Sequence, residues 1–137
     1  MTSTFFKIVP FLLLVFSLAG CTKEDDDNTE TRLLGLWMLN SKTIDGATVS
    51  LSDCEKLSSV SLQEFNLCVL YDGCTEISQN SGWNYNHEML NIALHLPAAY
   101  VIDELTNQNL VLSRQDITDQ GQLQVTVLSY SKKVTVQ

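Results

Sequence analysis

Four cysteines, two histidines and 16 carboxylates are the side chains of this 137-residue sequence with the most chemistry to offer. Spacing limits what they can do. Cys54, Cys68 and Cys74 lack the close paired spacing of a zinc site, and His87 and His95 stand eight apart, beyond the i, i+4 relation by which a helix offers two imidazoles to one ion. No metal and no cofactor is expected. No glycine-flanked nucleophilic serine and no phosphate-cradling glycine loop occurs. Glu64, Asp103 and Glu104 fall near strand ends, where carboxylates are as a rule solvated. These patterns point away from an enzyme.

Cys21 stands in a different context. Lys7 supplies a short positive start, the run from Ile8 to Leu18 is apolar, and small residues follow it, which is the layout of a signal peptide over residues 1–20. The apolar run is too short to span a bilayer by itself. Leu18-Ala19-Gly20-Cys21 resembles the lipobox of bacterial lipoproteins. The resemblance implies cleavage before Cys21 and attachment of fatty-acyl chains of the palmitate type, each buried methylene contributing about 0.8 kcal/mol to anchoring. Residues 21–31 then read as the lipidated cysteine and an acidic tether, because Glu24 to Asp27 and Glu30 repel one another and show no apolar period. Cys21-Thr22-Lys23-Glu24-Asp25 further resembles the lipoprotein export signal of Bacteroidota-type bacteria, which implies the outer face of the outer membrane. An acidic linker on the periplasmic face is the alternative.

The formal charge of −8 suits neither nucleic-acid backbones nor any other polyanion, so no nucleic-acid partner is expected. The working domain is residues 32–137. Trp37, Leu39 and Ser41 alternate with Leu36, Met38 and Asn40, a period of two. Val60 and Leu62, then Phe65, Leu67 and Val69, continue the pattern. Trp83 and Tyr85 are separated by a turn at His87-Glu88 from Leu90, Ile92, Leu94 and Leu96, a hairpin signal. Tyr100 and Ile102, Leu110 and Leu112, and Val125, Val127 and Ser129 supply later strands, with Arg114 to Gly121 read as a polar loop carrying a helical turn. Turns are marked by Asp45-Gly46 and Asp72-Gly73. Roughly seven or eight short strands indicate an all-β fold, a small antiparallel barrel or a sandwich. Closure into a barrel is favoured because it leaves no unpaired edge.

Gly35-Leu36-Trp37 opens the first strand as the Gly-x-Trp signature opens that of lipocalins. Together with Ser52-Asp53-Cys54-Glu55-Lys56, Cys74-Thr75-Glu76, Ser81-Gly82-Trp83-Asn84-Tyr85 and Leu110-Val111-Leu112-Ser113, it resembles the lipocalin-like domain lipoproteins of Bacteroidota-type bacteria over the whole mature domain. The resemblance implies a small antiparallel β-barrel, and a cation near the barrel's end that packs the first-strand tryptophan, for which Arg114 and Lys132 are the candidates. Cys54, Cys68 and Cys74 permit three single pairings outside the cytoplasm. Cys54 and Cys74, both in turn-rich stretches that share the resemblance, are the favoured pair, leaving Cys68 as a buried small hydrophobe.

Trp37 reads first as a plug for the closed end of the barrel, its N–H finding a carbonyl. Trp37, Trp83, Tyr85, Ile92, Leu94, Tyr100 and Ile102 are the candidate ligand-binding residues if the barrel holds a cavity. The leading expectation is a membrane-anchored, noncatalytic module that binds a small hydrophobic or amphipathic molecule. A filled barrel that meets an envelope protein partner through an outer patch near Leu36, Met38 and Val111 is the second, and a small enzyme on the same scaffold the third.

Overall fold

The computed structural model describes residues 24–93 and 98–134. Its first element, α1 (Glu24–Leu33), covers most of the stretch read as an acidic tether. Arg32 lies in its last turn, where the helix dipole favours a cation. Leu33 is fully buried and joins the barrel core, so the helix is fused to the domain.

Nine strands follow among the described residues. They are β1 (Gly35–Ile44), β2 (Ala47–Val49), β3 (Ser59–Gln63), β4 (Leu67–Asp72), β5 (Ile77–Asn86), β6 (Met89–Ala93), β7 (Ala98–Leu105), β8 (Asn109–Ile117) and β9 (Leu123–Lys132). Strands β3 to β9 pair in chain order, β1 pairs with β3, and β9 returns to β1, all antiparallel. An eight-stranded barrel results, consistent with a lipocalin-like fold, and the β1–β9 ladder excludes the sandwich. The short β2 is a flap on the far half of β1, beyond the segment that pairs with β3.

Two bulges bend the wall, between Leu39 and Ser41 in β1 and between Ile102 and Glu104 in β7. An extra residue reverses the side-chain phase beyond it. Ser41, which strict alternation puts on the side of Trp37, is instead opposite Ser129, and Lys42 falls opposite Leu128. The stretch Arg114 to Gly121 is likewise not a loop with a helical turn: β8 runs on to Ile117, paired with Leu123, and only the turn beyond it is free of the ladder. Cross-strand hydrogen bonds carry these polar residues into the sheet, overriding their local preference for a loop.

The strand directions give the barrel two ends. One is closed by α1 and the base of β1. There the Trp37 indole is fully buried and donates its N–H to the Leu33 carbonyl at 2.7 Å. Lys132, at the end of β9, lays its ammonium 4.8 Å from the centre of the Trp37 ring and donates to the Arg32 carbonyl at 3.0 Å. Of the two cations expected near the tryptophan, Lys132 is therefore the one that packs it. Desolvation there lowers the Lys132 pKa from its ordinary value.

Gly35 is what makes room for this contact. Its φ of +135° is a conformation L side chains rarely adopt, and a Cβ there would stand 2.6 Å from Lys132 Cε. Gly35→Ala is expected to cost roughly 1–3 kcal/mol of stability through backbone strain and displacement of the lysine. Urea denaturation monitored by tryptophan fluorescence measures it, and a loss below about 0.5 kcal/mol, the scatter of ordinary surface changes, would contradict the account.

Candidate functional site

At the other end the barrel is open. A cavity of about 370 Å³ is bounded by Leu39 of β1, Val60 of β3, Leu70 of β4, Ile77 and Gln79 of β5, and Tyr130 of β9, with Ser58, Asp72 and Thr75 at its rim. The register brings five of these six side by side. Val60 lies opposite Leu70, Leu70 opposite Gln79, and Leu39 opposite Tyr130, and directly opposed residues share one face of a sheet.

Tyr130 and Gln79 are the polar side chains among these six, beside Ser58, Asp72 and Thr75 of the rim. The Tyr130 hydroxyl stays protonated, because burial above all, and then Tyr100 and Cys68, raise its pKa well beyond the ordinary phenol value. It offers both a donor and an acceptor. The Gln79 amide adds a second hydrogen-bonding group.

A disulfide frames the rim. Cys54 and Cys74, 20 positions apart, are bridged as expected, and Cys68 is free and buried. The Asp72 carboxylate accepts from the Cys74 and Thr75 amides at 2.8 and 3.2 Å, and the Gly73 amide donates to Ser58 Oγ at 3.0 Å. Glu55 accepts from the Ser52 amide and hydroxyl, each at 2.8 Å. These bonds hold the Glu55 and Asp72 carboxyls below their ordinary pKa values. A Cβ on Gly73 would collide with the Cys54 carbonyl and Leu57, so only glycine lets the two bridged segments lie this close.

The candidate ligand residues are distributed differently from the cavity. Trp37, Trp83 and Ile92 are in the core, with Trp83 donating its indole N–H to the Gln63 carbonyl at 3.0 Å. Tyr85, Tyr100 and Ile102 are half-buried and pack against that core. Leu94, His95 and Cys21 lie outside the described residues. His87 occupies the β5–β6 turn with φ +47°. On the inner face near the open end, Arg114 donates to Asp116 at 2.8 Å and to the Tyr100 hydroxyl at 3.4 Å, its guanidinium 5.5 Å from the Tyr100 ring centre. Partial burial opposes the Arg114 charge, yet the bond to Asp116 and the neighbouring Tyr100 raise its pKa above the ordinary value.

None of the cavity residues is among those candidates, and Ile77, Gln79 and Tyr130 are not placed on a strand by the sequence either. The first half of β5, Ile77-Ser78-Gln79-Asn80-Ser81, is too polar to announce a strand, and Tyr130 stands in a run where serines occupy alternate positions. The signal that finds them is the pairing register.

Desolvation raises the Cys68 thiol to about 11, so the nucleophilic thiolate is scarce at neutral pH. Native protein is expected to resist iodoacetamide at Cys68 and to alkylate there once unfolded in urea. Peptide mapping reads this directly, and rapid native alkylation would contradict the burial.

The chain matches no protein-family model and no curated protein.

Proposed function

We propose that this chain is a membrane-anchored lipoprotein whose noncatalytic barrel binds a small hydrophobic or amphipathic molecule through its open end. The observation that carries the reading is the cavity walled by Leu39, Val60, Leu70 and Ile77, with Tyr130 and Gln79 as the polar groups that orient a ligand. Its volume of about 370 Å³ is at the small end of ligand pockets, which favours a compact molecule over a long acyl chain. Apolar walls provide most of the binding free energy, and a neutral phenol and amide select a ligand bearing a hydroxyl, carbonyl or amide group. The anchor rests on the signal-like residues 1–20 and the lipobox-like Leu18-Ala19-Gly20-Cys21, and the export-like Lys23-Glu24-Asp25 supports the outer face of the outer membrane.

Mass spectrometry of protein purified gently from the native type of host tests the ligand. A reproducible small apolar adduct is expected, released on unfolding and lost in Leu70→Trp, which fills the cavity. Retention of the adduct by a folded Leu70→Trp protein, or recovery of the protein only in its free form, would overturn the cavity reading.

One surface feature favours a second reading, a module that contacts an envelope protein. Met89, Ala99, Val101 and Val125 line an outer-face depression of about 360 Å³, and Val101 is 40% exposed. A Val101→Glu variant that loses a crosslinked envelope protein while keeping its adduct would assign that face to partner binding.

A further inference from the structure

The closed end carries an aromatic side chain that folding does not explain. Phe65 is 88% exposed, the most exposed of the large hydrophobic side chains among the described residues, and Leu67 two positions on is 54% exposed. Three residues, Glu64 to Asn66, join β3 to β4, and Phe65 and Asn66 are the central pair of the turn, with φ of +59° and +61°. Both central positions of such a turn need left-handed backbone, which glycine and asparagine adopt readily and a bulky side chain does not. Asn66 has a structural reason to be there, since its side chain donates to the Trp83 carbonyl at 2.9 Å and its own carbonyl accepts from the Trp83 amide at 2.9 Å. Phe65 has none of this. A strained, exposed aromatic on a hairpin tip points to a contact outside the domain.

Its place in the fold selects the occupant. The tip stands beside α1, and Glu30, Leu34, Phe65 and Trp83 border the same groove of about 330 Å³. The helix is locked to the closed end. Arg32 donates to the Leu105 carbonyl, and Lys132 and Trp37 donate to the carbonyls of Arg32 and Leu33. Only Thr22 and Lys23 separate Cys21 from the first residue of α1. Ten helical residues and three extended ones reach at most about 25 Å from the closed end. A lipid attached at Cys21 is therefore tethered to the barrel through its closed end, the end that carries Phe65.

We infer that the closed end docks on the bilayer surface, with Phe65 and Leu67 entering the headgroup region and the cavity mouth turned away from the membrane. This rests on the lipoprotein reading above. The acidic start of α1 makes zwitterionic lipid the matching surface, since anionic headgroups would repel Glu24 to Asp27. Aromatic and branched aliphatic side chains gain from leaving water at such an interface.

The test uses the mature full chain, acylated in a bacterial host and placed in phosphatidylcholine and phosphatidylethanolamine vesicles. The photoreactive amino acid benzoylphenylalanine replaces Phe65 in one preparation and Leu123, at the open end and 61% exposed, in another. Irradiation is expected to attach phospholipid at position 65 at least tenfold more than at position 123. The reverse ratio, equal labelling, or labelling at neither position overturns the orientation. The mass of the N-terminal peptide is read in the same samples. An unacylated Cys21 there sinks the lipoprotein reading itself, whereas an acylated Cys21 with the wrong labelling pattern sinks only the docking. Phe65→Asn checks that the aromatic is not a folding requirement. Its thermal midpoint is expected to match or exceed that of the unaltered protein, and a fall of several degrees would give Phe65 a structural role and overturn the inference.

Discussion

Replacing Trp37 with alanine is expected to lower the unfolding free energy by about 3–5 kcal/mol, the upper range for a single core truncation. Three losses act together. The fully buried indole vanishes from the closed end, the Leu33 carbonyl loses its donor, and the Lys132 ammonium loses the ring it covers. A cavity there sits between α1 and the barrel, so the helix loses its contact with the indole while Leu33 and the bonds of Arg32 and Lys132 remain. Equilibrium urea denaturation followed by far-ultraviolet circular dichroism measures the change. A loss near 1 kcal/mol would mean that the site collapses around the alanine and that the tryptophan does not act as the plug. Trp37→Phe separates the contributions, since it keeps most of the apolar area while leaving the Leu33 carbonyl without its donor.

Removing the Cys54–Cys74 bridge with paired serine substitutions is expected to cost roughly 2–4 kcal/mol, because the linked unfolded chain loses conformational freedom that the open chain regains. The native consequence is local. Without the bridge, the rim of the cavity is held by the bonds from Ser52 to Glu55, from the Cys74 and Thr75 amides to Asp72, and from Gly73 to Ser58. Two of these acceptors are carboxylates whose pKa values are lowered in the folded protein. Such groups stabilise the folded state above their unfolded pKa values and lose that contribution as pH falls through the folded ones. The paired-serine variant is thus expected to lose amide protection at Ser52, Thr75 and their neighbours on acidification below about pH 4, where free carboxylates take up protons. The bridged protein should keep that protection further into the acid range. Hydrogen exchange at several pH values reads both, and equal acid sensitivity with and without the bridge would contradict the shared role.

How far the sequence led depended on whether a residue's role is local. Period-two alternation and the turn dipeptides Asp45-Gly46 and Asp72-Gly73 make the all-β class legible, because both reflect constraints on neighbouring residues. Gly35-Leu36-Trp37 marks the start of the barrel through its resemblance to the lipocalin signature, and the structure supplies the reason, Lys132 packed against both the glycine and the indole. The Cys54–Cys74 pairing, too, was the one favoured from the sequence.

Local rules misread two stretches and left the helix α1 unannounced. Its last residue, Leu33, is anchored in the core, which a count of charges does not reveal. Ser41 changes sides at a bulge, and Arg114 to Ile117 are drawn into β8 by β9. The cavity was the least legible feature. Leu39, Val60, Leu70, Gln79 and Tyr130 come from five strands, and what makes them one wall is the register across the β1–β9 closure. The alternation of side chains along each strand determined an all-β domain and most of its core. Only the tertiary structure decided that the sheet closes, which end α1 seals, and which residues border the space left open, because a strand's period sets its two faces while pairing between strands sets what each face meets.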